Sequence, residues 1–181
     1  MDLSFRFDLW YALLPKSPQD EGQVVRCVVR PAPDRRETPE SIRVSPERGV
    51  ELDRWDVDAQ RRPGNQVSLI NVHVLRSLAQ GEERMPLSGD NLEVDLDLTE
   101  ANLPVGTRLT IGSAQLEVSA DPHRPCKKFH ERYGASAVKK VARANKRGRR
   151  GRGLLASVLS AGEIRAGDVI RVERPASGSR A

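Results

Sequence analysis

The chain has 181 residues, of which 38% are hydrophobic and 30% are charged, so we expect one domain with a buried core. No apolar run approaches the roughly 20 residues that cross a bilayer, and the N-terminal segment lacks the cleavage site of a secretory signal. Two cysteines do not make a disulfide framework, so we expect a cytoplasmic protein with free thiols.

The net charge of +5 is concentrated in one segment. Eight basic residues and no acidic ones lie between Lys139 and Arg152, whereas the rest of the chain carries 22 basic and 25 acidic residues. Such a run indicates either an anionic partner or a solvated face. It contains no aromatic residues for base stacking, which argues against single-strand binding but leaves contact with nucleic-acid phosphates open.

Hydrophobic periodicity and turn residues predict many short strands and few helices. In chain order, the expected elements are a strand at 22–30, an irregular loop at 31–46, a strand at 65–70, a helix at 71–81, a strand at 89–98, a hairpin at 103–119, helices at 127–133 and 135–145, and further strands at 153–172. This pattern favours a closed or nearly closed barrel in one domain.

Individual residues fix several of these assignments. In the first strand, alternation places Val25, Cys27 and Val29 on one side. Asn71 is expected to cap the first helix and Gly81 to end it. The strand at 89–98 alternates leucine and valine with acidic residues, which is typical of a half-buried strand.

The stretch DPHRPCKKFHERYG, residues 121–134, holds one of the two cysteines of the chain and two of its three histidines. Cys126 is followed by two lysines near an expected helix start, and such neighbours favour the thiolate that acts as nucleophile or metal ligand. A structural or incidental cysteine is the alternative. Cys27, by contrast, lies in an apolar strand and is expected in the core.

Other chemistries find less support. His123, Cys126 and His130 allow a zinc hypothesis, but they supply three ligands where a closed structural site needs four. The sequence has no P-loop, GxSxG elbow or HExxH motif. The turn SGDNL, residues 88–92, either presents Asp90 and Asn91 at a strand edge or only connects helix to strand.

Taken in order, several segments resemble the MOSC domain, named for the C-terminal domain of molybdenum cofactor sulfurases. They are DRW (residues 53–55), NQVSLI, GDNLEVDLDLTEANLPVGTRLTIGSAQLEVS, PHRPCKKFHERYG, Asn145 and RGRGLLASVLSAGEIRAGDVIRV. The resemblance runs from about residue 25 to 172 and looks like the compact, stand-alone bacterial type. It implies a mainly β fold, namely a MOSC-type β-barrel with a few short helices. The MOSC domain would span residues 25–173. Residues 1–24 would then be an N-terminal extension packing on the barrel, and 174–181 a disordered tail.

The resemblance also implies a function in handling molybdenum cofactor in its molybdopterin form. Cys126 would be the molybdenum ligand in the reduction of an N-hydroxylated or related oxidised substrate, or a sulfur carrier to the cofactor. The candidate cofactor contacts are Arg54, Asn91, His123, Lys127, Arg132, Asn145 and Arg152. A separate redox partner would supply electrons to the enzyme, and a cysteine desulfurase would supply sulfur to the carrier, because 181 residues leave no room for a pyridoxal-phosphate domain.

One residue departs from the family pattern. The family usually has a Gly-Asp pair before Arg-Trp, and here Leu52 stands in the glycine position before Asp53. If the glycine serves a positive φ or a close approach of the cofactor, the roles of Asp53 and Arg54 are in question. The alternative function is a non-enzymatic module that binds anions or nucleic acid through the basic run from Lys139 to Arg152; we expect nucleic acid to be the less favoured partner.

Overall fold

The computed structural model describes residues 5–59 and 61–176. Its strands are β1 (Glu21–Cys27), β2 (Ser41–Ser45), β3 (Gly49–Val50), β4 (Val67–Asn71), β5 (Leu92–Asp95), β6 (Arg108–Ile111), β7 (Ala114–Val118), β8 (Leu154–Ser160), β9 (Gly162–Arg165) and β10 (Val169–Glu173). Its α-helices are α1 (Phe5–Ala12), α2 (Val72–Ala79) and α3 (Lys127–Lys146). Short 3-10 helices lie at Arg54–Val57, Pro63–Asn65 and Glu82–Ser88.

Seven strands close into a barrel in the order β1-β10-β6-β7-β8-β4-β5. The β4–β5 pair is parallel and the other barrel pairs are antiparallel. A parallel pair needs a crossover connection, and α2 with the 3-10 helix Glu82–Ser88 supplies it. A three-stranded sheet, β3-β2-β9, lies beside the barrel. The expected mainly β barrel with a few short helices is confirmed.

The barrel interior is a packed core of aliphatic side chains. In β7, Ala114, Leu116 and Val118 point inward and are at most 1% exposed, whereas the residues between them are half-buried. The same alternation in β5 places Leu92 and Val94 in the core. Because these side chains fill the interior of the barrel, a ligand-binding site is expected on its outside.

The prediction that Val25, Cys27 and Val29 lie on one side of the first strand is wrong for Val25. That residue is 37% exposed, while Val24 and Cys27 are fully buried. A register shift lies between Val24 and Arg26 in the pairing with β5. The irregularity breaks the alternation, so two inward residues are three positions apart.

The loop expected at 31–46 is wrong in its final part, where β2 forms. Ile42 and Val44 alternate with exposed or half-buried residues, and both are buried. β2 pairs with β3 on one side and with β9 on the other. The surrounding prolines end at Pro39 and resume at Pro46, which leaves these five residues unrestricted.

The helices begin and end largely where the sequence predicts. The Asn71 side chain accepts hydrogen bonds from the N–H groups of His73 and Val74 at the start of α2. The sequence predicts that Gly81 ends α2. In the structure the residue that ends α2 in the left-handed conformation is Gln80, with φ 60°. Gly134, with φ 81°, interrupts α3 between the two helices predicted there.

The helices share one apolar cluster on the outside of the barrel. Val74 and Leu78 of α2 meet Phe129 and Val141 of α3, and Trp10 of α1 packs against them. At the other end of the chain, Arg174 donates hydrogen bonds to Asn102 and Asp20, and residues 177–181 of the expected tail lie outside the described part. Over residues 5–59 and 61–176, no helix has the length and apolar character needed to cross a membrane.

Candidate functional site

The stretch 121–134 meets two 3-10 helices around a cavity of about 260 Å³. The cavity lies where Arg54–Val57, the end of Glu82–Ser88 and the start of α3 converge. Seven basic side chains line it: Arg30, Arg36, Arg54, Arg124, Lys128, Arg132 and Arg152. Asp58 is the one carboxylate on the lining among the described residues. We call this space the basic cavity.

Asp53 and Asn91 position Arg30 from behind the wall of the cavity. The Asp53 carboxylate accepts two hydrogen bonds from the Arg30 guanidinium, at 2.8 and 2.9 Å, and one from the Arg30 backbone N–H. The Asn91 amide donates to Asp53 and accepts from the N–H and hydroxyl of Ser68. Both Asp53 and Asn91 are buried, so they fix the geometry of the cavity without forming its surface.

Arg152, Asp90 and His123 form a second buried group. The Arg152 guanidinium donates to Asp90 Oδ2 at 2.6 Å and lies 4.7 Å from the centre of the Phe129 ring. His123 Nδ1 lies 3.6 Å from Asp90 Oδ1, beyond hydrogen-bond distance. Burial, with the nearby Arg152 and Arg30 charges, lowers the pKa of His123 well below its usual value, so this imidazole is neutral.

Three arginines on the cavity, Arg36, Arg54 and Arg124, make no ion pair with a carboxylate of the described residues. Arg36 has a buried Nε with no hydrogen-bond partner, and burial lowers its pKa, with further lowering from Arg132, Arg30 and Arg54. Arg54 makes no ion pair with any described residue. Crowded cations of this kind are relieved by an anionic ligand.

The opposite wall comes from the first part of α3. Arg132 donates to the Leu87 carbonyl and, at 2.9 Å, to Asp34, which also pairs with Lys128. Cys126 directly precedes α3, is exposed, and makes no capping hydrogen bond with its side chain. The thiol therefore lines a cavity whose other walls are basic.

The predicted contacts divide into two groups. On the basic cavity lie Cys126, Arg54, His123, Arg132 and Arg152. The other three predicted contacts, Asn91, Lys127 and Asn145, do not line it.

Those three residues have other surroundings. Asn91 is buried behind the wall, as described above. The Lys127 side chain is 90% exposed and pairs with Glu131 one turn along α3. Asn145 donates to the His123 carbonyl and accepts from the Arg152 N–H, so it ties together two segments that carry lining residues. It also lines a neighbouring cavity of about 640 Å³, which shares His123 and Arg124 with the basic cavity.

Sequence analysis missed Arg30, Arg36, Arg124 and Lys128 as lining residues. Arg30 follows β1, and Arg36 lies in the proline-rich segment for which the sequence predicts only a loop. Single arginines in a strand end or a loop carry no periodic signal. Lys128 lies two residues after the motif cysteine, and its spacing of four residues from Arg132 places both on one face of a helix, which is a signal that the sequence contains.

The zinc hypothesis is wrong for the described residues. No three His, Cys, Asp or Glu side chains among them come together as a metal-binding group. His123 is largely buried beside Asp90, whereas His130 is exposed on α3, so the two imidazoles do not join Cys126.

The basic run at 139–152 is not one continuous surface. Arg143, Arg147 and Arg149 approach the carboxylate of Asp8 on α1 at 2.7, 3.6 and 3.4 Å. Arg150 donates to two backbone carbonyls, and Arg152 lies in the basic cavity. Most of the charge is therefore engaged within the fold.

Leu52, which stands in the glycine position of the family pattern, adopts a left-handed backbone conformation. Its φ is 64°, and its side chain is 79% exposed. The leucine therefore points to solvent. The residues after it are still in place: Asp53 pairs with Arg30, and Arg54 lines the basic cavity. The substitution changes backbone strain and leaves the cavity wall in place.

A family model for the MOSC domain matches residues 56–171. The chain belongs to the MOSC domain family. This family is associated with binding of molybdenum cofactor. No curated protein matches the sequence.

Solved structures support the MOSC fold. The YuaD protein of Bacillus subtilis is 17% identical, with a TM-score of 0.65 over 86% of this chain and 97% of that one. YiiM from Escherichia coli is 22% identical, with a TM-score of 0.57 over 86% and 71% of the two chains. YiiM from Geobacillus stearothermophilus is 19% identical, with a TM-score of 0.58 over 88% and 79%. At these identities the likeness concerns the fold.

Proposed function

We propose that this MOSC protein binds molybdenum cofactor in the basic cavity, with Cys126 as the thiolate ligand of molybdenum. The observation that carries this proposal is the exposed thiol of Cys126 on a cavity lined by seven basic side chains. Molybdopterin carries a phosphate, and guanidinium groups bind phosphate through paired hydrogen bonds. A thiolate suits a metal that already has sulfur ligands.

The residues of the basic cavity fit such a group. Arg36 and Arg152 each have a buried Nε without a partner, so each can still donate a hydrogen bond to an anion. Arg54 has no carboxylate to compete for it within the described residues, whereas Arg30 is held in place by Asp53. The bound molybdenum would supply two-electron redox chemistry at the cavity.

In the activity we propose, the protein reduces an N-hydroxylated or related oxidised substrate, and a separate redox protein supplies electrons. The chain's own contribution is to orient the cofactor through its arginines and to hold it through Cys126. The alternative use of the same thiol is as a sulfur carrier, loaded by a cysteine desulfurase. The two uses differ in what Cys126 holds, a metal or a sulfane sulfur.

Metal analysis tests the ligand role. The protein is purified from a host that makes molybdenum cofactor, and molybdenum per chain and pterin fluorescence are measured. We expect both in the wild type, a large loss of both in Cys126→Ser and a smaller loss in Arg54→Ala. Arg108→Ala, an exposed arginine of β6, is the matched control and should match the wild type.

The opposite results are equally informative. A wild type that contains neither molybdenum nor pterin would contradict cofactor binding. Full occupancy in Cys126→Ser, together with a persulfide on wild-type Cys126 after incubation with a cysteine desulfurase, would replace the ligand role by the carrier role. Cys27→Ala controls for loss of a thiol in general, because Cys27 is buried inside the barrel.

A further inference from the structure

Two of the carboxylates that pair with lining cations of the basic cavity are buried. Asp53, which holds Arg30, has no exposed side-chain surface. The same is true of Asp90, which holds Arg152. Breaking a buried ion pair leaves a charge without compensation in surroundings that solvate it poorly. Both aspartates therefore stay with their arginines when a ligand binds.

A third carboxylate, that of Asp34, differs because it lies in solvent. Its side chain is 72% exposed, and its Oδ1 accepts from Lys128 Nζ at 3.2 Å and from Arg132 Nη2 at 2.9 Å. Lys128 and Arg132 line the basic cavity, whereas Asp34 does not. An exposed ion pair contributes little, because water solvates both partners once they separate. Asp34 can therefore release its two cations to a competing anion at little cost.

The pairing with Asp34 uses hydrogen-bond donors that an anionic ligand would need. Both terminal nitrogens of Arg132 already donate, Nη1 to the Leu87 carbonyl and Nη2 to Asp34. A guanidinium binds phosphate most firmly through two parallel N–H groups. While Asp34 is in place, Arg132 and Lys128 are therefore only partly available to a ligand.

The loop that carries Asp34 also carries a lining cation, Arg36. Asp34 has φ 62°, a left-handed conformation that aspartate tolerates better than most residues. Two positions later, the Arg36 side chain enters the cavity, where its Nε is buried without a partner. Gly89 leaves room for it, because a Cβ there would lie 3.3 Å from Arg36 Nε. One short loop therefore brings an anion that occupies two lining cations and a cation that can still bind an anion.

We propose that Asp34 is a built-in competitor of the anionic ligand, which occupies Lys128 and Arg132 until the ligand takes its place. This role rests on the proposed function, because it assumes that the basic cavity binds an anion. Asp34 lowers the affinity of every anion that needs these two cations by the same factor. Free phosphate, a weak ligand, is thereby kept out. A cofactor that is held by Cys126 and Arg54 as well still binds.

Titration calorimetry with inorganic pyrophosphate tests the competition, on the full chain made in a host without molybdenum cofactor. Asp34→Asn keeps the shape of the side chain and its tolerance of the left-handed backbone. We expect it to raise the association constant by about 5-fold, because both cations are then available from the start. Glu37→Gln is the matched control, since it removes a carboxylate of the same loop whose partner, Arg35, does not line the cavity. It should change the association constant by less than about 2-fold.

A double-mutant cycle separates competition from a general change in charge. In a Lys128→Gln background, one of the two cations that Asp34 occupies is absent. We expect Asp34→Asn to raise the association constant by only about 2-fold there. The same rise in both backgrounds would mean that Asp34 acts only through its charge, and it would overturn the competition.

The cofactor gives a separate readout. During dialysis of the molybdenum-loaded proteins, we expect Asp34→Asn to lose molybdenum and pterin more slowly than the wild type, and an equal or faster loss would overturn the competition. Pyrophosphate affinity that is unchanged or weaker in Asp34→Asn, or no binding by either protein, would overturn it as well. These results leave the proposed function in place, because the molybdenum content of the purified wild type tests that function by itself.

Discussion

Asp53 holds Arg30 by a two-point ion pair, with Nε and Nη2 donating to the two carboxylate oxygens at 2.8 and 2.9 Å. The same carboxylate accepts from the Trp55 N–H, which starts the 3-10 helix that carries Arg54. One buried aspartate therefore places two arginines of the basic cavity. Its role is to orient cations that the ligand would contact.

We expect Asp53→Ala to lower the free energy of unfolding by about 3 kcal/mol, because it leaves a partly buried arginine without its counter-charge. Molybdenum occupancy should fall with it. Denaturant unfolding and metal analysis measure the two effects. Asp56→Ala removes an exposed pair with Arg48 and should cost less than about 1 kcal/mol. Equal costs for the two variants would contradict the structural role of Asp53.

The two thiols should differ in reactivity. Cys126 is exposed, whereas Cys27 is buried in the barrel and burial raises its pKa to about 12. With Ellman's reagent at pH 8, we expect the native protein to release one equivalent of thiolate rapidly and a second only after unfolding in guanidinium. Cys126→Ser should lose the rapid phase alone. A rapid phase that survives in this variant would place the reactive thiol elsewhere.

Leu52 should be a site of stored backbone strain. A leucine at φ 64° costs about 1 kcal/mol relative to glycine, and an exposed side chain returns little packing energy. We expect Leu52→Gly to raise the free energy of unfolding by up to about 1 kcal/mol. Val57→Gly is the control, since Val57 is 83% exposed in an ordinary 3-10 helix and should gain nothing. A lower free energy of unfolding in Leu52→Gly would contradict this prediction and show that the leucine side chain makes stabilising contacts.

The barrel was predictable because its strands carry local signals. Alternation at β5 and β7, the Gly112 turn between β6 and β7, and the Gly134 break in α3 can all be read from short windows. The inward face of β1 could not be predicted from a short window, because the register shift near Val25 depends on how β1 pairs with β5. Irregular pairing is a property of two strands, and one strand's pattern does not contain it.

The site was predictable only in part, for a related reason. The motif around Cys126 identifies the thiol, His123 and Arg132 because they lie close in sequence. Arg30 and Arg36 reach the same cavity from far away in the chain, through β1 and the segment after it. Lys127 adjoins the cysteine yet points away, because neighbouring residues of a helix face different directions.

Asp8 should control how far the basic run acts on nucleic acid. Its carboxylate lies near Arg143, Arg147 and Arg149, and hydrogen bonding to Arg143 lowers the pKa of Asp8. We expect wild-type protein to bind duplex DNA weakly and only at low salt, and Asp8→Asn to bind more tightly with a steeper salt dependence. Asp20→Asn, at an exposed pair with Arg174, is the control. Tight wild-type binding at 150 mM salt would instead favour the nucleic-acid module.

Glu93 should make stability depend on pH in a direction opposite to that of most carboxylates. Burial raises its folded pKa from the ordinary 4.5 to about 7, against the opposing charge of Arg26, so its contribution is fully present below pH 4.5 and is lost as pH rises through 7. Glu93→Gln stays neutral throughout. We therefore expect the free energy of unfolding of the variant, relative to wild type, to rise by roughly 3 kcal/mol between pH 4.5 and 8. Groups such as His123, whose lowered pKa acts in the opposite direction, are present in both proteins and cancel in the comparison. A difference that stays constant across this range would mean that Glu93 is ionised throughout, held by Arg26 alone.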